Sequence, residues 1–184
     1  DSWRDVRRRL KAHSQYSALP HWDVRAYIVK HGDLVLQEQF VMQLIVQFQH
    51  IWELEGLPLK LCCYNIMATS YQSGLIEVVP NSISLDKLKK VTENNGSSLS
   101  LFEFFKKQWP ASEDYKRARS NFVASLAAYS VVCYLLQIKD RHNGNIMLDA
   151  DGCIFHIDFG YLLARTIKFE KAPFKHTDEF VEVL

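Results

Sequence analysis

The chain has 184 residues, 48% of them hydrophobic and 23% charged, with a formal net charge of +1, which fits one globular domain or two small lobes. Near-neutral charge argues against wholesale nucleic-acid binding. No apolar run of the roughly 18–20 residues that cross a bilayer and no signal peptide are read in it, so any membrane contact is expected to be peripheral.

The opening SWRDVRRRLKAHSQ is basic and is expected to form a short helix. VRAYIVKH, residues 24–31, reads as a strand ending at Gly32-Asp33, because it is β-branched and aromatic. From Asp33 to about Glu55 the apolar residues Leu34, Val41, Ile45, Phe48 and Trp52 recur at helical spacing, with Asp33 as the expected cap and Gly56 as the stop. KLCCYNIMATS and GLIEVV read as two strands joined by YQSG. Pro80-Asn81-Ser82 ends the sheet and begins a connector. ISLDKLKKV and LSLFEFFKKQW are expected helices on either side of the polar loop TENNGSS, and Pro110 stops the second. DYKRARSNFVASLAAYSVVCYLLQIK is a long helix with an apolar stripe through Phe122, Leu126, Tyr129, Cys133 and Leu136. The four cysteines, Cys62, Cys63, Cys133 and Cys153, form no CxxC pair and lie in apolar surroundings. They read as buried thiols of a reducing, cytosolic compartment.

Chemistry concentrates in IKDRHNGNIMLDADGCIFHIDFG, residues 138–160. NIMLD and CIFHID flank an Asp-Gly step, a strong hairpin signal. A hairpin centred there pairs residues whose numbers sum to about 302 or 303, which brings Asn145 beside Asp158 at the open end. The loop with Asp140 and His142 arrives at that end. An aspartate and an asparagine held together offer the hard oxygens that Mg²⁺ takes. Asp140 precedes Asn145 by five residues, the spacing of a kinase catalytic loop. In Asp158-Phe159-Gly160 the glycine lets the backbone turn sharply after a metal carboxylate. The combined pattern reads as a phosphoryl-transfer site.

Protein kinases write their catalytic loop as H-R-D, whereas this chain has DRHNGN and then HIDFG. That reversed order resembles the phosphoinositide kinase superfamily. YIVKHGD, HIWELEGLPL, SGLIEVV, YLLQIKDRHNGNIMLD and FEKAPFKHTDEFVEVL resemble the type III phosphatidylinositol 4-kinases over nearly the whole chain. The resemblance implies an α+β, two-lobed protein-kinase-like fold truncated at both ends. Residues 1–80 would be part of an N-lobe, 81–84 a hinge, and 85–184 part of a C-lobe. The phosphate-covering hairpin ahead of the Lys30 strand and further C-terminal helices would be missing, so the chain is expected to be a fragment with little turnover by itself.

The resemblance makes Lys30 the ATP-phosphate lysine and Glu38 its acidic partner, a pairing that also answers the cost of burying a lysine at a strand end. Main-chain groups near Glu77 and Val79 would meet adenine, and Val29, Ile66, Ile76 and Ile157 would form core or the adenine-facing wall. Asn145 and Asp158 would hold Mg²⁺. Asp140 has the kinase base position by spacing. Histidine, however, is the side chain that titrates near neutral pH, and the resemblance gives His142 the base role, with Asp140 as organiser. Arg141 is expected to anchor the loop through an ion pair. After Asp158, Arg165, Lys168, Lys171 and Lys175 are spaced singly rather than clustered, which suits a single phosphodiester.

The expected reaction is therefore ATP- and Mg²⁺-dependent phosphorylation of phosphatidylinositol at its 4-hydroxyl, by a cytoplasmic enzyme peripheral on intracellular membranes, with the Golgi suggested by the resemblance. The partner is the lipid in its membrane, with no nucleic acid; protein regulators are not legible. The alternatives are a phosphatidylinositol 3-kinase, a related protein kinase, and a non-catalytic kinase-fold scaffold. The chain departs from the family at one place: GDLVLQE stands where the family has GDDLRQE, so that Leu34 and Leu36 replace an aspartate and an arginine.

Overall fold

The computed structural model describes residues 3–94, 99–163, 172 and 174–184. Helix α1, Trp3–Ala12, buries none of its residues. Strand β1, Tyr27–His31, begins three residues later than the apolar pattern implies. Helix α2 then runs Val35–Leu54. Strands β2, Ile66–Ser70, and β3, Ser73–Glu77, complete an antiparallel sheet of order β1-β3-β2. Lys30 is paired with Gly74 in it.

Gly74 explains how α2 reaches that sheet. A Cβ there would lie 2.5 Å from Val35 Cγ1 and 2.6 Å from the Met67 carbonyl, so a larger residue would push the start of α2 away. The buried face of α2 is Val35, Glu38, Val41, Met42, Ile45 and Trp52. Its spacing puts Glu38 among apolar neighbours. Asp33 does not cap this helix. Leu34 occupies the cap position without a side-chain hydrogen bond, and Asp33 turns its carboxylate to Lys30 at 3.2 Å.

Past Pro80, Ile83–Ser84 forms a short strand β4 where the sequence pattern implied helix, and helix α3 covers Leu85–Asn94. Helix α4, Leu101–Gln108, opens with a capping box: Glu103 N–H donates to Ser100 Oγ, and Ser100 N–H donates to the Glu103 carboxylate. Helix α5 spans Ser112–Leu136 and stops at Gln137 in a left-handed conformation. Strands β5, Ile146–Leu148, and β6, Ile154–His156, pair with register sums of 302 and take β4 as a third strand. Asn145 therefore lies opposite Ile157, whose N–H donates to its carbonyl, one residue from the expected Asp158. Helix α6, Asp178–Val183, follows.

Helix α5 holds the two hydrophobic clusters together. Ala118, Phe122 and Leu126 belong to one cluster, with Phe105, Ile154 and Phe180. Ala128, Tyr129, Val132 and Cys133 belong to the other, with Val41, Ile45 and Phe159. Each fully buried residue of this size contributes roughly 1.5–3 kcal/mol. Contrary to the absence of such a run expected from sequence, α5 is long and apolar enough to cross a bilayer by length and composition. In this fold its apolar stripe is the core helix's packing face. The hairpin is fixed to it twice. Ile154 N–H donates to the buried Ser125 Oγ at 2.9 Å. Gly152, at φ +86°, lies so close that a Cβ would meet the Ala118 carbonyl at 2.8 Å.

Of the cysteines, Cys133 is buried, Cys62 and Cys153 are half-buried, and Cys63 is exposed rather than buried. Burial pushes the Cys62 thiol up to about 12 and the Cys153 thiol up to about 11, which makes both poor nucleophiles at neutral pH.

Candidate active site

A cleft of about 290 Å³ is lined by both sheets and by the connector between them. Strand alternation decides which side chains reach it. On β1, Ile28 and Lys30 line the cleft, whereas Val29, between them, is 79% exposed and does not. Of the expected adenine-facing residues, Ile76, Val79 and Ile157 line it, and Ile66 is in the core. Ile28, Tyr64, Ser82, Met147 and Phe155 line it as well and were not singled out from sequence. Period two, counted back from Lys30 and on from Asn145, would have found Ile28 and Met147.

Lys30 Nζ lies 2.6 Å from Glu38 Oε1. Burial works against the ammonium, but the hydrogen bond and charge of Glu38, with Asp158 and Asp33 beyond, outweigh it and hold the Lys30 pKa above its ordinary value. Burial pushes the Glu38 carboxyl up, and Lys30 opposes that. The pair is ionised, since so short a contact sets an ammonium directly against a carboxylate. The replaced positions lie aside from it: Leu34 and Leu36 line a separate surface groove with Phe40 and Tyr71.

Glu77 and Val79 both line the cleft. The Glu77 N–H donates to Asn65 O at 2.8 Å, its carboxylate accepts from Arg25, and the Val79 carbonyl accepts from Ser82 Oγ. These bonds brace the connector on either side of the cleft wall.

Asn145 and Asp158 come together in the same cleft. Asn145 Nδ2 donates to the Asp140 carbonyl at 2.9 Å, which leaves Oδ1 as the end of the amide available to a cation. Among the described residues no three His, Cys, Asp or Glu side chains form a metal cluster. One carboxylate with one amide oxygen suits Mg²⁺, which keeps water and phosphate oxygens as its remaining ligands.

Arg141 is 3% exposed. It donates to the carbonyls of Lys139 and Ile157 at 3.0 and 2.8 Å, and to that of Asp158. It therefore anchors the loop through main-chain oxygens. Both aspartates it braces are left-handed, Asp140 at φ 64° and Asp158 at φ 60°, a conformation that costs a non-glycine residue energy and persists only where neighbours enforce it.

His142 is exposed, with Nε2 3.9 Å from Asp140 Oδ2, too long for a hydrogen bond. The Gly144 N–H donates to His142 Nδ1 at 3.0 Å. The neutral ring then carries its proton on Nε2, facing Asp140. A Cβ on Gly144 would lie 2.9 Å from the ring, so this contact needs glycine. His156 is a core residue: it stacks on Tyr129 at 4.5 Å and its Nδ1 is 3.4 Å from Cys133 Sγ.

Lys175 Nζ lies 2.6 Å from Asn143 Oδ1 and so holds the later segment against the loop of residues 139–145. Lys168 and Lys171, like Arg165, fall outside the described residues.

The profile of the family described as phosphatidylinositol 3- and 4-kinase matches residues 25–184. The whole chain is 45% identical to a phosphatidylinositol 4-kinase of Dictyostelium discoideum, covering 16% of that protein. It is 42% identical to phosphatidylinositol 4-kinase PIK1alpha of Candida albicans and 44% identical to phosphatidylinositol 4-kinase beta of Sorex araneus, covering 20% and 23% of them. The chain thus spans less than a quarter of the length of these curated relatives.

Proposed function

Because this chain belongs to the phosphatidylinositol 3- and 4-kinase family, we propose that it carries the catalytic centre of a lipid kinase that moves the γ-phosphoryl of ATP to the 4-hydroxyl of phosphatidylinositol. The observation that carries this reading is the single cleft into which four separated segments deliver Lys30, Glu38, Asn145 and Asp158. The relatives named phosphatidylinositol 4-kinase support the choice of lipid.

In this reading the fold is a two-lobed kinase-like arrangement hinged at residues 81–84, supported by one sheet on each side of the connector. Adenine lies between Ile28, Ile76, Val79, Met147 and Ile157, whose apolar faces exclude water. Lys30, fixed by Glu38, neutralises phosphate charge. Asn145 and Asp158 hold Mg²⁺, which when bound offsets the charge of the β- and γ-phosphate oxygens. Lys175 supports the segment that meets the headgroup, and Lys168 and Lys171 add charge there.

The acceptor hydroxyl gives up its proton near Asp140 and His142. With Nδ1 accepting from the Gly144 N–H, the neutral ring has its proton on Nε2 and offers no free acceptor nitrogen. This geometry favours Asp140 as proton acceptor, with His142 beside it, the reverse of the roles expected from the resemblance. The attack is then a matter of position and charge, since phosphoryl transfer asks little covalent chemistry of the protein. A lipid substrate brings the enzyme to a membrane surface from the cytoplasmic side; the Golgi remains the membrane that the resemblance favours.

The test supplies the full-length protein that contains these residues with phosphatidylinositol vesicles, labelled ATP and Mg²⁺, and resolves the product isomers. The expected product is the 4-phosphate, with Asp158→Asn losing about 10²–10³ in turnover. A 3-phosphate would transfer the reading to a 3-kinase, and no lipid product from folded protein would favour the protein-kinase or scaffold reading.

A further inference from the structure

Four consecutive carbonyls, from Ile157 to Gly160, are held by two side chains. Arg141 takes Ile157 O and Asp158 O from the catalytic loop. Gln37 takes the other two from α2: its Nε2 donates to Phe159 O at 2.7 Å and to Gly160 O at 3.1 Å. Gln37 is 122 residues from Phe159 in sequence and immediately precedes Glu38, the partner of Lys30. One turn of α2 therefore grips both sides of the cleft. The side chain of Glu38 fixes the lysine, and that of Gln37 fixes the turn that carries Asp158.

The turn needs such support. Asp158 is in the left-handed region at φ 60°, where a non-glycine residue relaxes unless its neighbours over-determine it. Phe159 is fully buried, with the Arg141 guanidinium 5.6 Å from its ring centroid, so its side chain is secured. Gly160 has no side chain to bury, and the next tie along the chain is the Tyr161 carbonyl, which accepts from the Lys139 N–H at 3.1 Å. Without Gln37, the Phe159 and Gly160 carbonyls lose their hold, and the stretch between the Arg141 contacts and the Tyr161 carbonyl can shift and turn the Asp158 carboxylate with it.

We propose that Gln37 is a positioning residue that clamps the Asp158–Phe159–Gly160 turn to α2, so that the metal carboxylate and the phosphate lysine are aligned as one unit. The proposal rests on the lipid-kinase reading for its consequence, but not for the clamp itself. Gln37 does not line the cleft; it acts through the direction in which Asp158 points. It also gives the start of α2 leverage over the cation site, because any shift of the helix that parts Lys30 from Glu38 also releases the turn.

The experiment compares wild type, Gln37→Ala and Gln37→Glu, with Gln43→Ala as an exposed control on the same helix, in two measurements. Amide hydrogen exchange across residues 157–163 needs no activity: both Gln37 variants should exchange faster there, with α5 unchanged. Turnover on phosphatidylinositol vesicles should then need about tenfold more Mg²⁺ for half-maximal rate in Gln37→Ala, the scale of two lost neutral hydrogen bonds. Gln37→Glu, which sets a carboxylate against two carbonyls, should shift further, while the KM for lipid stays put in both. Exchange and Mg²⁺ dependence indistinguishable from Gln43→Ala would overturn the clamp. Absence of lipid phosphorylation in the wild type would instead refute the kinase reading, and the exchange comparison would still decide for or against the clamp.

Discussion

The ammonium of Lys30 is held 2.6 Å from a Glu38 carboxylate whose side chain is only 3% exposed. The two residues are eight apart in sequence, and the second lies on the core face of α2. Removing only the lysine strands a buried acid.

Lys30→Met should therefore abolish turnover and also destabilise the fold by roughly 3 kcal/mol, the scale of breaking one side of a buried pair. Adding Glu38→Leu should restore most of the stability and none of the turnover. Chemical denaturation beside a kinase assay separates the two effects, and a stable but inactive single variant would show that the pair is not a structural unit.

The helix α2 starts at Leu34 without a side-chain cap, although the Gln37 and Glu38 amides point back to the Leu34 carbonyl at 2.9 and 3.1 Å. Leu34→Asp supplies a side-chain acceptor for the amides two and three residues on, those of Leu36 and Gln37, and a negative charge at the helix N-terminus. It should stabilise the protein by about 1 kcal/mol in thermal or denaturant unfolding. A neutral or destabilising result would mean that Leu34 already contributes more by packing beside Phe40 than a cap would.

Replacing Asp140 by Asn should cost the turnover about 10²–10⁴, the usual range for a general base, while His142→Gln should cost less. Gly144→Ala forces the imidazole off the Gly144 amide and should resemble His142→Gln. Single-turnover rates at saturating ATP distinguish these roles. A larger loss from His142→Gln than from Asp140→Asn would return the base role to the histidine.

His156 gives the protein an acid-sensitive core. Burial first, and then the charges of Arg141 and Lys175, hold its pKa well below 6.5, while Tyr129 and Cys133 pack against the ring without adding charge. The unfolded chain binds a proton below 6.5 that the folded chain refuses. This part of the stability is thus complete above that pH and is lost as pH falls below it, at up to about 1.4 kcal/mol per pH unit. His156→Phe should flatten that part of the curve in denaturant titrations. An unchanged acid limb would assign the pH dependence to the carboxylates instead.

Much of the site was legible from the order of residues alone. The Asp-Gly step fixed the hairpin to within one residue, since a tight turn leaves the register little choice. The Asp140–Asn145 spacing and Asp158-Phe159-Gly160 marked where cation ligands would gather, because those contacts are local or cross a single turn. Glu38 was readable only through the resemblance, since the stripe read from sequence ran through Leu34 and Phe48, whereas the face that α2 buries includes Val35 and Met42 beside Glu38.

Other features were set by contacts between segments that no local pattern records. Asp33 has the chemistry of a cap, yet it turns to Lys30 because Gly74 lets α2 sit close against the sheet. Ile83-Ser84 looks helical but completes a strand edge offered by residues more than sixty positions later. Val29 and Ile28 are alike in composition, and only the sheet's pairing decides which one faces the cleft. His156 belongs to the polar-looking run around the site, but β6 turns it into the core beside Tyr129. Gln37 is an unremarkable amide in sequence; folding alone brings it under the carbonyls of Phe159 and Gly160. Periodicity and turn chemistry act over a few residues and determined the elements and the candidate ligand residues. Packing across the whole chain decided which of those groups face each other, because a hydrogen bond between distant residues depends on where their helices and strands finally rest.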